Sequence, residues 1–228
     1  MNVAIVVAGG KGTRFGSNRP KQFLDLNAIP IIVHTLRQFE QSQQIDTVVV
    51  VLPAAEMAAF QSLPDKFELK KVARVVAGGE TRARSVRNGL AAIEEAEVVA
   101  VHDGVRPLVT PDEIDQVVIA AAANGAAILV APVGDTIKEI ENNEIARTLA
   151  RDKLGRALTP QCFRFDLLKR AYAGLPEIEA SGIEVTDDSF LVERLGVNVV
   201  AVTGSARNIK ITNEEDIAVA EILLKMSV

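Results

Sequence analysis

Apolar β-type runs that stop at a turn, each followed by a helix-like stretch, constrain this chain more than any other feature. Val-Val-Ala-Gly-Gly occurs at Val6 to Gly10 and again at Val75 to Gly79, so two parallel strands are expected to end on the same edge of a sheet. Further runs at Val48 to Leu52, Val98 to Val101, Ala127 to Ala131 and Val199 to Val202 alternate with helical patterns near 30–41, 54–62, 82–95, 111–124, 165–173 and 213–225. Alternation of this kind predicts an α/β fold with a mainly parallel sheet. The strands are apolar almost throughout rather than at every second position, which predicts burial on both faces under crossover helices. The expected architecture is a Rossmann-like, doubly wound sheet.

With 228 residues and no Ser/Gly linker, low-complexity tract or short repeat, the chain reads as a single domain over 1–228. One stretch breaks the rhythm. From Thr136 to Arg151, Ile137, Ile140, Ile145 and Leu149 flank the polar Glu141-Asn142-Asn143-Glu144, the pattern of a protruding β-hairpin with too few apolar residues for a core of its own. It is either a solvated surface hairpin or an arm that buries its isoleucines on a second subunit.

Composition removes several classes of function. A net charge of −5 with 4% aromatic residues lacks the basic face and stacking platforms of a nucleic-acid binder. The apolar runs fall far short of the ~20 residues of a membrane span, and no export signal is recognisable. The lone Cys162 allows neither an internal disulfide nor a thiolate metal cage, so a reducing, cytoplasmic setting is the expectation.

In open α/β sheets ligands bind beyond the carboxyl ends of the strands. There the first strand is followed by Ala8-Gly9-Gly10-Lys11-Gly12-Thr13-Arg14-Phe15-Gly16 and Arg19-Pro20-Lys21-Gln22, with four cations and no carboxylate from Lys11 to Lys21. Glycines let backbone N–H groups approach a phosphate chain while the cations neutralise it. Phe15 occupies the third glycine position of a dinucleotide fingerprint and P-loop spacing is absent, so a polyphosphate site of another kind is indicated. His102-Asp103-Gly104-Val105-Arg106-Pro107 closes the next such strand; Asp103 there is either a turn former or a ligand for Mg²⁺ or a substrate hydroxyl. His102 and His34 have no partner motif for zinc and read as core or supporting histidines. No nucleophile for covalent catalysis is evident. Thr186-Asp187-Asp188-Ser189 reads as a helix start, with hydroxyl recognition as its functional alternative, and Asn208-Ile209-Lys210-Ile211-Thr212 as a short strand carrying either a solvent-facing lysine or a phosphate contact.

Taken in order with Pro20-Lys21-Gln22-Phe23, Gly78-Gly79-Glu80-Thr81-Arg82-Ala83-Arg84-Ser85-Val86, Pro132-Val133-Gly134-Asp135-Thr136-Ile137-Lys138 and Leu158-Thr159-Pro160-Gln161, these motifs resemble the 2-C-methyl-D-erythritol 4-phosphate cytidylyltransferase family over nearly the whole chain. The resemblance implies a nucleotidyltransferase-type fold and transfer of CMP from CTP to 2-C-methyl-D-erythritol 4-phosphate, releasing pyrophosphate, with Mg²⁺ or another divalent cation. It implies Arg14 and Lys21 as catalytic cations, and Ala8, Gly9, Gly10, Gly12, Gly79, Glu80, Arg82 and Ser85 around the nucleotide. Asp103, Arg106, Thr136, Arg151, Thr159, Thr186 and Lys210 fall on the acceptor side, with Mg²⁺ held through the substrate phosphates and by Asp103 as a candidate protein ligand. It also implies a homodimer whose arm at about 136–151 presents Arg151 to a neighbour; Ala150 stands before that arginine where the family pattern has Asp. A phosphate monoester is largely dianionic near pH 7, its second pKa being about 6, so such an acceptor needs no general base. Ribitol 5-phosphate is the alternative acceptor; a dinucleotide-dependent oxidoreductase and a non-catalytic nucleotide-binding module are the alternatives of other classes.

Overall fold

The computed structural model describes residues 1–9 and 20–226. The chain runs through β1 (Val3–Val7), a 3₁₀ turn at Lys21–Phe23, the two-residue strands β2 (Asp25–Leu26) and β3 (Ile29–Pro30), α1 (Ile31–Gln41) and β4 (Thr47–Leu52). The one-turn helices α2 (Met57–Phe60) and α3 (Leu63–Lys66) lead to β5 (Val72–Ala77), α4 (Arg82–Ala91), β6 (Val98–Asp103), α5 (Pro111–Asn124) and β7 (Ala126–Pro132). Then come β8 (Lys138–Glu141), β9 (Glu144–Thr148), β10 (Gly155–Arg164), α6 (Phe165–Ala173), α7 (Leu175–Ala180), α8 (Asp188–Glu193), β11 (Val200–Thr203) and α9 (Glu214–Lys225).

Seven strands form one sheet in the order β11-β7-β10-β6-β1-β4-β5. Every neighbouring pair is parallel except those of β10, which runs antiparallel between β6 and β7. Side chains alternate between the two faces with the period of two that a strand imposes. Ala4 and Val6 of β1 meet α1 and α5 through Leu36, Phe39, Val117 and Val118, whereas Val3, Ile5 and Val7 meet α4, α6 and α8 through Val86, Leu90, Leu168 and Leu191. This explains the apolar runs, because each buried Val or Ile on either face contributes roughly 1.5–3 kcal/mol. Gly89 lets α4 lie close on the sheet: a Cβ there would stand 2.7 Å from Ile5 Cγ2 and 2.9 Å from Val51 Cγ2.

Three segments differ from the sequence expectations. The helix expected over 54–62 is a 3₁₀ turn followed by two single turns, and Pro64, which has no N–H to bond back to Phe60, keeps α2 from running on into α3. The strand expected at Asn208–Thr212 is absent; that segment lies against the turn after β6, with the Ile211 N–H donating to the Val105 carbonyl at 2.9 Å. The ten-residue β10 was not expected as a strand, because Gly155, Arg156, Pro160 and Gln161 dilute its apolar pattern. The hairpin is present as β8 paired with β9, and Ile140 opposes Ile145 on it, 66% and 65% exposed.

Candidate functional site

Backbone hydrogen bonds level the ends of four neighbouring strands. The Gly104 N–H donates to Val7 O (2.8 Å), Ala8 N–H to Val51 O (2.8 Å) and Gly78 N–H to Leu52 O (2.7 Å). Val6–Gly9 of the first Val-Val-Ala-Gly-Gly copy and the whole of the second therefore do reach one edge, on either side of β4. A cleft opens above them, and Ala8, Gly9, Lys21, Gly79, Glu80, Arg82, Ser85, Asp103 and Lys210 all line it, as do Val7, Gln22, Thr81 and Val105.

One wall is the start of α4. Thr81 caps it, its hydroxyl oxygen accepting from the Arg84 N–H at 3.1 Å, a cap worth about 1 kcal/mol. The cap fixes where the helix begins, so Arg82 and Ser85 both fall in its first turn at the strand edge. That positive helix end faces the cleft, a setting suited to an anionic ligand. The Ser85 hydroxyl donates to Thr81 O (2.9 Å) and accepts from the Gly79 N–H (3.0 Å), tying the glycine turn to the helix. A Cβ on Gly79 would stand 2.5 Å from Arg84 Cβ and 3.1 Å from Arg84 carbonyl carbon, so the turn can approach only without a side chain. Glu80 is exposed and pairs with Arg84 at 2.9 Å.

The floor is Asp103, the last residue of β6. Three cations converge on its carboxylate: Arg82 at 3.0 Å, Lys210 at 3.0 Å and Arg106 at 3.4 Å. Burial by itself would raise the Asp103 pKa; the three cations outweigh it and hold the carboxyl well below the usual range. Asp103 is therefore a fixed anion that gathers positive charge. Arg106 lies behind it, its guanidinium donating to Asn208 O at 2.8 Å. Lys210 is carried on the segment whose Ile211 packs with Val105, Leu26 and Ile31, and the Ile211 carbonyl accepts from Lys21 Nζ at 3.3 Å. Residues nearly 190 positions apart thus bring two lysines to one cleft.

Below this floor His102 is fully buried, and burial pushes its pKa down to about 3, so the ring is neutral. Its Nε2–H donates to Arg106 O (3.2 Å), leaving Nδ1 to accept from the Thr159 hydroxyl (3.0 Å); the Thr159 oxygen in turn accepts from the Asp103 N–H (3.2 Å). The Thr159 hydroxyl thus ties β10 to the end of β6, directly behind Asp103. Asp187 caps α8, accepting from the Phe190 N–H at 3.0 Å, and Asp188 is buried, which replaces the hydroxyl-recognition alternative for both acids. Thr136, Arg151 and Thr186 are exposed and do not line the cleft; Arg151 donates to the Gly134 carbonyl at 3.1 Å at the base of the hairpin. Gly10, Gly12 and Arg14 lie outside the described residues. Tyr172, the buried partner of Asp188, carried no site signal, since a lone tyrosine in a helical pattern reads as core.

The family model for 2-C-methyl-D-erythritol 4-phosphate cytidylyltransferase (IspD) matches residues 2–226. Proteins of that name from Syntrophus aciditrophicus and Pelotomaculum thermopropionicum are each 43% identical to this chain, over 98% and 97% of it and 95% and 93% of their own lengths. The 4-diphosphocytidyl-2C-methyl-D-erythritol synthase structure from Anaerococcus prevotii superposes with a TM-score of 0.85 at 29% identity, covering 98% of this chain and 96% of that one. The Thermus thermophilus cytidylyltransferase gives 0.77 at 32% identity over 97% and 98%. The bifunctional IspDF of Campylobacter jejuni matches 94% of this chain with 53% of its own.

Proposed function

The chain belongs to the 2-C-methyl-D-erythritol 4-phosphate cytidylyltransferase family and carries out its CTP-dependent step of non-mevalonate isoprenoid synthesis; we propose that it does so in the cleft above β1, β4, β5 and β6. The observation that carries this assignment is the convergence of Lys21, Arg82 and Lys210 with the glycine turns and the α4 N-terminus on one strand edge.

In this reading Ala8, Gly9, Gly79, Glu80 and Ser85 surround the cytidine, and the turn around Gly79 offers backbone groups to the hydrogen-bonding edge of a pyrimidine. Lys21, with Arg14, neutralises the triphosphate; Lys210 and Arg106, both anchored by Asp103, face the acceptor side. The acceptor phosphate arrives as a dianion and attacks the α-phosphorus as pyrophosphate leaves. No side chain needs to remove a proton, so the protein's task is to place two anions together and to stabilise the charge of the transition state. Cations fixed by hydrogen bonds before substrate arrives do this without reorganising during the reaction.

Asp103 is already shared by three cations, and among the described residues no group of three His, Cys, Asp or Glu side chains is arranged to hold a metal. This donor set fits a divalent cation brought by the triphosphate rather than one caged by the protein, with Asp103 a candidate ligand that would exchange one of its present cation contacts for it. Such a cation supplies charge neutralisation across the phosphate oxygens.

Thr136 and Arg151, which flank the arm, do not line the cleft of their own chain, and the exposed Ile140–Ile145 pair needs cover. Exchange of the β8–β9 arm between two copies satisfies both facts and delivers Arg151 to the partner's acceptor phosphate. The decisive experiment measures pyrophosphate release from each nucleoside triphosphate with 2-C-methyl-D-erythritol 4-phosphate and ribitol 5-phosphate. CTP with the former is expected to dominate, and Lys21→Ala to lower kcat by roughly 10²–10³, as for loss of a preorganised charge-stabilising donor. Comparable turnover with ATP, or wild-type rates for Lys21→Ala, would refute the assignment.

A further inference from the structure

Arg82 bridges two carboxylates. Its Nε donates to Asp103 at 3.0 Å in the cleft, and its Nη2 donates to Asp188 at 2.8 Å behind it. Asp188 is completely buried, and its second oxygen accepts from the Tyr172 hydroxyl on α6. Its backbone is held as well: Gln161 of β10, itself buried, accepts from the Asp188 and Ser189 N–H groups at 2.9 and 3.0 Å and donates to Asp187 at 2.8 Å. Both Asp188 oxygens are thus used, and neither can reach a substrate.

A buried carboxylate–guanidinium pair is an inefficient way to stabilise a fold, because removing both charges from water offsets most of their attraction. Leu191, Val192, Leu168 and Tyr172 already join α8 and α6 by apolar contact. What those contacts cannot do is fix a long, flexible side chain that rises from the first turn of α4 toward an open cleft. Burial lowers the Arg82 pKa, but Asp188 and Asp103 outweigh it and raise it well above its ordinary value, so the charge is permanent. Its direction is the remaining variable, and the Asp188 side fixes it.

We propose that Asp188 is a positioning residue of the cytidylyl transfer, acting through Arg82: with Tyr172 and Gln161 it forms a buried anchor that holds the guanidinium toward Asp103 and the cleft. The inference rests on the cleft being the reaction site. It also makes α8, β10 and α6, none of which contributes a side chain to the cleft wall, part of what sets the geometry of the charged floor.

The test is a double-mutant cycle in the full-length enzyme, reading kcat/KM with CTP and 2-C-methyl-D-erythritol 4-phosphate, with thermal midpoints measured for every variant. Asp188→Asn keeps size and removes charge; it should lower kcat/KM at least tenfold when Arg82 is present and less than twofold on an Arg82→Ala background. Should Asp188→Asn not fold, Tyr172→Phe takes its place, with a severalfold loss that likewise vanishes on Arg82→Ala. Equal losses on both backgrounds, or activity within twofold of wild type for the Arg82-containing variant, overturn the positioning role. Arg82→Ala alone separates the two levels of inference. Wild-type activity there refutes the cleft as the reaction site, whereas an impaired Arg82→Ala with additive Asp188→Asn refutes only the anchor.

Discussion

Lowering the pH from 7 to 5 should destabilise this protein through His102 before any carboxylate beneath the cleft titrates. In the folded state the ring is enclosed, lies edge-on to Phe39 with centroids 5.0 Å apart, and titrates at about 3; an unfolded-chain histidine titrates near 6.5. Between those values the unfolded chain takes up a proton that the folded chain refuses. His102 therefore contributes stability that is complete above about pH 6.5 and is lost as pH falls toward 3. Between pH 7 and pH 5 the loss is about 2 kcal/mol, and this holds for any folded value below about 4. The Asp103 carboxyl is depressed too, but its contribution is lost only below the ordinary carboxylate range, outside this window. Urea unfolding at both pH values, for wild type and His102→Gln, isolates the effect because every other titrating group, His34 included, is common to the two proteins. Wild type should lose about 2 kcal/mol more than the variant over this interval. Parallel losses, within ~0.5 kcal/mol, would mean that His102 is not held neutral and that the Thr159–His102–Arg106 chain is drawn wrongly.

Gly79→Ala should lower activity, because the added Cβ must push the turn off Arg84; the strain is of the 1–3 kcal/mol order usual for overpacking. It should appear as a raised KM for CTP and a lowered melting temperature together, and unchanged values of both would refute the close approach. Ile140→Asp with Ile145→Asp should leave secondary structure intact by circular dichroism, yet shift the protein to monomer in sedimentation if the arm exchanges; an unchanged dimer places the interface elsewhere. Arg151→Ala and Lys21→Ala chains, each nearly inactive alone, should recover up to about half the wild-type rate when mixed and refolded, since one site of the mixed dimer carries neither defect and distant sites act independently. Mixed dimers that form but remain dead would refute the shared site.

Most of the strand and helix order, β10 excepted, was written in the chain locally. Val6-Val7 and Val75-Val76-Ala77 end β1 and β5 because a continuous apolar, β-branched run is recognisable without knowing its partner, although only β1 is buried on both faces and β5 is a half-exposed edge strand; each run leads into a glycine turn. Asn213 and Asp216 form a capping box at the start of α9, as do Thr110 and Glu113 for α5, so those boundaries are also short-range facts. The cleft residues at strand ends, Ala8, Gly79 and Asp103, were legible for the same reason: in a parallel sheet the end of a strand is a place in space. What only tertiary structure decided is what those residues touch. Sequence offered Asp103 as a turn or a ligand; its three cations come from α4, from Arg106 and from Lys210, and no local pattern records that meeting. The hydrogen bonds of Asp188 and Thr159 were equally out of reach, because the antiparallel β10 runs through the middle of the sheet and brings Thr159 to His102 and Gln161 to α8. Propensity and periodicity act over a few residues, whereas the charge around a carboxylate is set by whatever the fold packs against it, at any separation along the chain.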